Sequence, residues 1–220
     1  MAGVFITFEG LDGSGKSTQL RLLAEWLGAR GCEVCLTREP GGTPLGLRLR
    51  AAVLDINEDI DPLAELLLYA ADRAQHVNKL LRPALAAGRI VLSDRYAAAT
   101  VAYQGAGRGF SPTLIAQVIE LATGGLKPDL TLLFDISAET SLFRTHHRAA
   151  NDSQLDRLDS ESLAFHQRVR QGYLDLAQAE AERWRVFDAD SAVEAIQTQV
   201  RACIADFLVA NGFVSPKAFA

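Results

Sequence analysis

The chain has 220 residues, of which 49% are hydrophobic and 22% are charged, and its formal net charge is −5. This length favours a single domain, taken here as residues 1–220. The hydrophobic content excludes a mostly disordered chain, and the net acidity argues against a protein that coats nucleic acid or adheres to an anionic membrane. Of the 22 basic residues 18 are arginine, whose planar donor fork suits phosphate groups.

The cysteines and the first residues favour a cytoplasmic location. The apolar run at 4–8 is too short for a signal peptide, and no stretch reaches the roughly 18 apolar residues of a membrane span. Three cysteines do not suggest a disulfide framework, so a reducing compartment is expected. Cys32 and Cys35 form a C-x-x-C pair, but Cys35 leads into an extended segment, which disfavours redox chemistry.

Short apolar runs alternate with helical patterns along the chain. Strands are predicted at 4–8, 33–37, 90–92, 130–134 and 184–187. Helices are predicted over 16–31, 62–77 and about 192–209, the second behind the cap residue Asp61. This alternation predicts a three-layer α/β fold, a parallel sheet with helices on both faces. Ligands of such sheets bind beyond the carboxyl ends of the strands.

A glycine-rich segment lies between the first predicted strand and the first predicted helix. It reads Gly10-Leu11-Asp12-Gly13-Ser14-Gly15-Lys16-Ser17, a full match to G-x-x-x-x-G-K-[ST], and Thr18 follows it. The glycines let successive backbone N–H groups turn toward an anion, and the helix adds its positive end. Lys16 is expected to reach the β- and γ-phosphates and Ser17 to coordinate Mg²⁺. The segment predicts a P-loop that binds a nucleoside triphosphate.

The class of P-loop protein can be narrowed further. A GTPase should carry an N-K-x-D guanine-binding motif, and the sequence has none. A motor or a large ATPase needs a longer chain. A small kinase remains, and it must hold a phosphate acceptor beside the donor. On pattern alone, Asp94 and Asp135 each end a predicted strand, where a carboxylate can organise Mg²⁺.

Four segments match one family in order and spacing. They are Phe8-Glu9-Gly10-Leu11-Asp12, Arg38-Glu39-Pro40-Gly41-Gly42-Thr43, Asp94-Arg95-Tyr96 and Ala102-Tyr103-Gln104. Together they resemble the thymidylate kinase family over about residues 3–208. The resemblance implies a nucleoside-monophosphate kinase fold with a short lid, ATP and Mg²⁺, a homodimer, and phosphorylation of dTMP to dTDP in dTTP biosynthesis. It also favours Asp94 over Asp135 as the magnesium ligand, with Arg95 bridging phosphates.

Three side chains near the ligand edge suit a phosphorylated nucleoside. Arg38 can hold an acceptor phosphate through a bidentate fork, although it could instead be a surface arginine paired with Glu39. Tyr69 and Arg73 lie four apart on one side of a predicted helix, so a ring and a guanidinium could contact a base. The alternative is a tyrosine at the core edge beside a solvated arginine. The resemblance assigns all three to dTMP, and the family often has phenylalanine in place of Tyr69.

The resemblance assigns four more side chains to the nucleoside. Thr100 and Gln104 are expected to meet the base. Tyr103 is expected to crowd the 2′ position of the sugar, which favours deoxyribose. Asp12, inside the P-loop, is expected to accept the 3′-hydroxyl, although it could be an ordinary loop carboxylate.

The stretch 144–157 is polar and poor in apolar residues, so it is expected to be a lid loop that is mobile without ligand. A kinase must exclude water from the γ-phosphate, and a closing lid does this while it completes a charge clamp. The family places clamp arginines either in the P-loop or in this lid, and this P-loop has none. The predicted catalytic residues are Lys16, Arg95, Arg148 and Arg157, with Arg144 left open.

The predicted reaction needs no general base, because the acceptor phosphate is already an anion. The expected partners are ATP, dTMP and a second copy of the chain, without nucleic acid or membrane. Two alternatives stay open, namely another nucleoside-monophosphate kinase, for adenylate or uridylate, and a non-catalytic nucleotide-binding module. Tyr69, Arg73 and Tyr103 discriminate against the first, and the intact Lys16 and Ser17 speak against the second.

Overall fold

A parallel sheet of five strands forms the centre of the computed structural model, which describes residues 3–151, 155–215 and 218–219. The strands are β1 (Val4–Glu9), β2 (Val34–Arg38), β3 (Ile90–Asp94), β4 (Leu130–Asp135) and β5 (Trp184–Asp188). Their order across the sheet is β2-β3-β1-β4-β5, and each neighbouring pair is parallel. The predicted parallel α/β sheet is therefore confirmed.

Helices connect the strands. They are α1 (Lys16–Gly28), α2 (Pro44–Leu54), α3 (Pro62–His76), α4 (Arg82–Ala86), α5 (Ala97–Thr100), α6 (Pro112–Thr123), α7 (Ala138–Asn151), α8 (Leu163–Ala179) and α9 (Val193–Ala210). Two π-helical segments, Val77–Leu81 and Val101–Gly107, continue α3 and α5. Among the described residues, no helix combines the length and hydropathy needed to cross a membrane.

The helices cover both faces of the sheet. Ile6 and Phe8 of β1 point into a cluster built with α1, α8 and α9, whereas Phe5 points into a smaller cluster with Val77 and Tyr96. All six residues of β1 are buried, as a strand covered on both faces requires. Alternate residues of β1 thus face helices on opposite sides of the sheet, which is the three-layer arrangement expected from the sequence.

The strand register brings the candidate residues to one edge. In β2 and β3, Arg38 pairs with Asp94, and in β1 and β3, Phe8 pairs with the same aspartate. The three strands therefore end side by side, and the P-loop begins directly after β1. Ladder-like hydrogen bonds continue past the strands, because the Glu39 N–H donates to the Asp94 carbonyl and the Arg95 N–H donates to the Phe8 carbonyl.

The prediction of a loop over 144–157 was wrong for its first half. Residues 144–151 belong to α7, and residues 152–154 lie outside the described part of the chain. The buried face of α7 carries the small polar side chains Ser141 and Thr145. An apolar stripe, the usual sequence signal of a helix, is therefore missing.

Helix α8 begins at Leu163, after a turn that contains Asp156 and Asp159. Ser162 caps α8 by accepting a hydrogen bond from the Phe165 N–H at 3.2 Å. Asp159 lies buried in this turn, where Asp156 accepts hydrogen bonds from the Leu158 and Asp159 N–H groups at 2.9 Å each. The turn uses these donors locally, so the helix starts only after it.

We predict that Phe134→Ala lowers the free energy of unfolding by about 3–5 kcal/mol. Phe134 is fully buried and stacks between Phe8 and Phe187, with ring centroids 5.6 and 5.5 Å apart. Urea unfolding of the ligand-free protein measures the loss. Ile56→Ala, at a half-exposed turn position, is the control and should change the same free energy by less than about 0.5 kcal/mol.

Candidate active site

A cavity of about 640 Å³ opens at the carboxyl edge of the sheet. The sequence-predicted residues that line it are Asp12, Gly13, Gly15, Lys16, Ser17, Thr18, Arg38, Tyr69, Arg73, Asp94, Arg95, Thr100, Tyr103, Gln104 and Arg148. Four other predicted residues do not line it, namely Gly10, Leu11, Ser14 and Arg157. One cavity therefore holds the P-loop at one end and most of the expected acceptor residues at the other.

The P-loop owes its shape to glycine. Gly10 has φ +133°, and a Cβ there would come 2.4 Å from the Phe134 carbonyl oxygen. Leu11 and Ser14 are buried and shape the loop instead of lining the cavity. Lys16 Nζ reaches across the loop and donates to the Leu11 carbonyl at 2.7 Å. Burial and the Arg95 charge lower the pKa of Lys16 to about 8, against the raising effect of nearby carboxylates, so the amine is charged at neutral pH.

A hydroxyl and a carboxylate meet beside the P-loop. Ser17 Oγ donates to Asp94 Oδ2 at 2.5 Å. Asp135, the rival carboxylate, is held by Arg170 through two hydrogen bonds of 2.8 Å and does not line the cavity. Mg²⁺ prefers oxygen ligands of this kind, with substrate phosphates completing its coordination shell. The Ser17–Asp94 pair therefore fits a magnesium ion.

Arg95 connects the two ends of the cavity. Its φ of +72° lies in the left-handed region, which a non-glycine residue adopts at a cost of about 1–3 kcal/mol and which is common at functional sites. Its guanidinium donates to Asp12 Oδ2 at 2.8 Å and to the hydroxyls of Tyr103 and Tyr173 at 3.0 and 2.9 Å. Burial would raise the pKa of Asp12, but the Arg95 and Lys16 charges outweigh burial and lower it.

Arg73 is buried, which excludes the solvated alternative. It donates to Glu39 Oε2 and Thr100 Oγ1 at 2.8 Å each and to the Tyr96 carbonyl at 2.9 Å. Glu39 is also buried, and its Oε1 accepts a hydrogen bond from His76 Nδ1 at 2.8 Å. Glu39, the alternative partner considered for Arg38, therefore pairs with Arg73 instead.

A second arginine lies near Arg38. Arg50 on α2 lines the cavity and donates to the Pro40 carbonyl at 3.2 Å. Burial and the neighbouring Arg38 charge lower the pKa of Arg50, because the two guanidinium groups are close enough to repel each other. An anion placed there relieves their repulsion. Arg50 was not among the predicted site residues because α2 was not predicted, although Thr43 and Pro44 carry an N-terminal helix signal.

Glu9 and Tyr173 were not among the predicted site residues. The Glu9 carboxylate is fully buried below Arg95 and accepts hydrogen bonds from the Tyr96 N–H at 2.8 Å and the Tyr173 hydroxyl at 2.9 Å. Burial raises the pKa of Glu9 to about 7, against the lowering effect of Arg95. Glu9 belongs to the matched Phe8–Asp12 segment, so its signal was present, whereas nothing local marked Tyr173.

The arginines of 144–157 go to different places. Arg144 donates to the Gly13 and Ala189 carbonyls at 3.3 and 3.0 Å and to Asp190 Oδ1 at 3.0 Å, at the P-loop end of the cavity. Arg148 is exposed at the same end. Arg157 points away and donates to Glu65 Oε2 at 2.5 Å. The structure thus brings Arg144 and Arg148 to the cavity. Arg157 was also expected there, but it does not line the cavity.

The P-loop and the residues expected to hold the phosphate acceptor line one cavity, and the chain is accordingly a P-loop kinase of the nucleoside-monophosphate class. The family model for thymidylate kinase matches residues 8–200. The chain is 50% identical over 207 residues to a thymidylate kinase of Oleidesulfovibrio alaskensis, covering 92% of this chain and 98% of that one. It therefore belongs to the thymidylate kinase family.

Two further comparisons agree. The chain is 50% identical over 204 residues to a thymidylate kinase of Deinococcus radiodurans, covering 93% of this chain and 97% of the relative. The crystal structure of thymidylate kinase from Ehrlichia chaffeensis matches with a TM-score of 0.75 and 33% identity, over 93% of this chain and 99% of that one. The fold and the family predicted from the sequence are both confirmed.

We predict that Glu9 makes the ligand-free protein less stable as pH rises. Glu9 binds its proton more tightly in the folded protein, with a pKa of about 7 against 4.5. Its contribution to stability is therefore present in full below the unfolded value and is lost as pH rises to about 7, on the order of 3 kcal/mol in total. Urea unfolding of wild type and Glu9→Gln at pH 5 and pH 8 measures it. Equal pH dependence in the two proteins would contradict the assignment.

Proposed function

We propose that this enzyme transfers the γ-phosphoryl group of ATP to the phosphate of dTMP, giving ADP and dTDP, with the residues of the described cavity. The observation that carries the proposal is the Arg95–Asp12 contact, which joins the P-loop to the acceptor pocket within one cavity. Two substrates bound at the two ends would place their phosphates next to each other. Catalysis of this transfer consists of positioning and charge neutralisation.

At the donor end, the P-loop and Lys16 bind the β- and γ-phosphates. Lys16 is buried and already points across the loop, so little reorganisation is needed when phosphate oxygens replace the Leu11 carbonyl. Ser17 and Asp94 would hold Mg²⁺, which when bound would supply positive charge to offset the charge of the phosphates. Asp94 keeps the Ser17 hydroxyl in place before the metal binds, because the two side chains already share a hydrogen bond.

At the acceptor end, Arg38 and Arg50 bind the dTMP phosphate, and Arg95 lies between the two phosphate groups. The proposal rests on the position of these three guanidinium groups along the cavity. Arg95 can exchange part of its contact with Asp12 for a phosphate oxygen while the Tyr173 hydroxyl keeps its other nitrogen in place. The acceptor is an anion, so the site needs no general base.

The nucleoside occupies the pocket beyond the arginines. Tyr69 offers a ring to the base, and burial raises the pKa of its phenol, so the ring stays neutral. Arg73, Thr100 and Gln104 line the same pocket and supply polar contacts to the base edge. Tyr103 donates to Asp12 at 3.2 Å, and in this proposal the two groups contact the sugar.

We further propose that the enzyme acts as a homodimer in the cytoplasm, as the resemblance implies. The neighbouring helices α2, α3 and α6 expose Leu47, Leu67 and Leu121, the last with 87% of its surface accessible. Apolar side chains on adjacent helices suit an interface between copies. All three cysteines are unpaired, in keeping with a reducing compartment.

A coupled assay of ADP release tests the substrate assignment. Purified enzyme with ATP and Mg²⁺ is given dTMP, dUMP, dCMP, AMP or UMP in separate reactions. We expect kcat/KM to be highest for dTMP, because the pocket carries Tyr69 and Arg73 for a pyrimidine and Tyr103 against a 2′-hydroxyl. Efficient turnover of AMP or UMP without turnover of dTMP would overturn the proposal and favour an adenylate or uridylate kinase.

We predict that Arg148→Ala lowers kcat by on the order of 10³-fold and raises the KM for dTMP much less. An arginine that stabilises charge on the transferring phosphoryl group acts mainly in the transition state. Arg157→Ala should lower kcat less, because Arg157 does not line the cavity. Arg21→Ala is the matched control, since Arg21 pairs with Glu25 on an exposed helix face. Near-normal kcat in Arg148→Ala would remove Arg148 from the clamp.

A further inference from the structure

The carboxylate of Glu65 on α3 is fully buried but does not line the cavity. It accepts a hydrogen bond from Gln104 Nε2 at 2.7 Å, and it forms ion pairs with Arg108 at 2.9 Å and Arg157 at 2.5 Å. It thus connects α3 to the π-helical segment that carries Gln104 and to the chain that follows α7. A charge at this depth is retained only where such donors satisfy it.

Glu65 is ionised in this environment. Burial alone would raise its pKa, but hydrogen bonds from Arg108, Gln104 and Arg157 outweigh burial and lower it. An ionised carboxylate can only accept hydrogen bonds. The Gln104 side chain must therefore turn its NH₂ group toward Glu65, and its carbonyl oxygen is the group left for the cavity that Gln104 lines.

We propose that Glu65 is a positioning residue that makes the base pocket select pyrimidines with an N–H at ring position 3. Thymine and uracil carry a hydrogen-bond donor at this position, whereas cytosine carries an acceptor. A fixed Gln104 carbonyl oxygen accepts from the first two and faces the lone pair of the third. A site built to hydrogen-bond one group rejects the analogue that lacks it. This inference rests on the proposed function, in which Gln104 meets the base of dTMP.

The other two partners of Glu65 allow the positioning effect to be separated from general stability. Arg157 also donates to the Val53 carbonyl at 3.2 Å, and Arg108 also pairs with Glu161. Removing either arginine weakens the local structure but leaves Glu65 and Gln104 in contact. Among the four residues of this network, only changes at Glu65 or Gln104 should alter the choice between bases.

The test is the ratio of kcat/KM for dTMP to kcat/KM for dCMP. For Glu65→Gln we expect this ratio to fall by about 10-fold or more, because a neutral amide at 65 lets Gln104 turn its NH₂ group to the cavity. Most of the loss for dTMP should appear in KM. The ratio compares two substrates in one preparation, so a lower fraction of active enzyme does not change it.

Two further variants calibrate the test. Gln104→Leu should lower the ratio as Glu65→Gln does. Arg157→Gln should keep the wild-type ratio even where its kcat/KM values fall. If the ratio stays unchanged in folded Glu65→Gln but falls in Gln104→Leu, the proposed role of Glu65 is overturned and that of Gln104 is kept. A wild-type enzyme without preference for dTMP over dCMP would overturn the proposed function as well.

A measurement on the wild-type protein covers the case in which Glu65→Gln does not fold. The side-chain NH₂ signal of Gln104, assigned in NMR spectra by its loss in Gln104→Leu, should show slow hydrogen exchange because the group is buried against Glu65. Rapid exchange in the ligand-free enzyme would overturn the proposed orientation.

Discussion

The ion pair between Arg95 and Asp12 is the contact on which the site depends. It joins the strand end of β3 to the P-loop after β1 over a distance of 2.8 Å. The left-handed backbone of Arg95 is tolerated because Glu9, Tyr103 and Tyr173 surround its side chain with acceptors and fixed hydroxyls. The strand register makes the contact possible, since the parallel pairing of β1 and β3 places their carboxyl ends side by side.

Paired charge explains how an acidic chain can bind two polyanions. Several of its arginines are matched to carboxylates away from the cavity, Arg108 and Arg157 to Glu65 and Arg170 to Asp135. These pairs use positive charge for structure, which is why abundance of arginine alone does not identify phosphate ligands. Other arginines, among them Arg38, Arg50 and Arg148, line the cavity. A net charge of −5 is therefore compatible with a cavity whose lining carries more basic than acidic side chains.

Much of the donor site could be predicted from the sequence, and part of the acceptor site could not. The P-loop is a continuous segment whose glycine spacing dictates its own backbone, so Lys16 and Ser17 were recognisable locally. Arg50 was not, because α2 lacks a strong apolar stripe and was not predicted as a helix. Arg144 was left open, because its part of α7 was expected to be a lid loop. Arg157 resembled a clamp residue by its position in a polar stretch. Its partner Glu65 lies 92 residues earlier in the chain, and no local pattern reveals such a pairing.

The sequence by itself determined the class of fold, the nucleotide cradle and the family, because strand and helix periodicity and motif spacing are properties of neighbouring residues. Strand pattern alone could not separate Asp94 from Asp135, and the tertiary structure gives the physical reason for the choice that the resemblance favoured, since Ser17 donates to Asp94 whereas an arginine from α8 binds Asp135. The tertiary structure also decided which arginines face the cavity and which way Gln104 presents its amide. These outcomes depend on carboxylates brought together by packing, and the energy of a buried charge is set by what surrounds it in space.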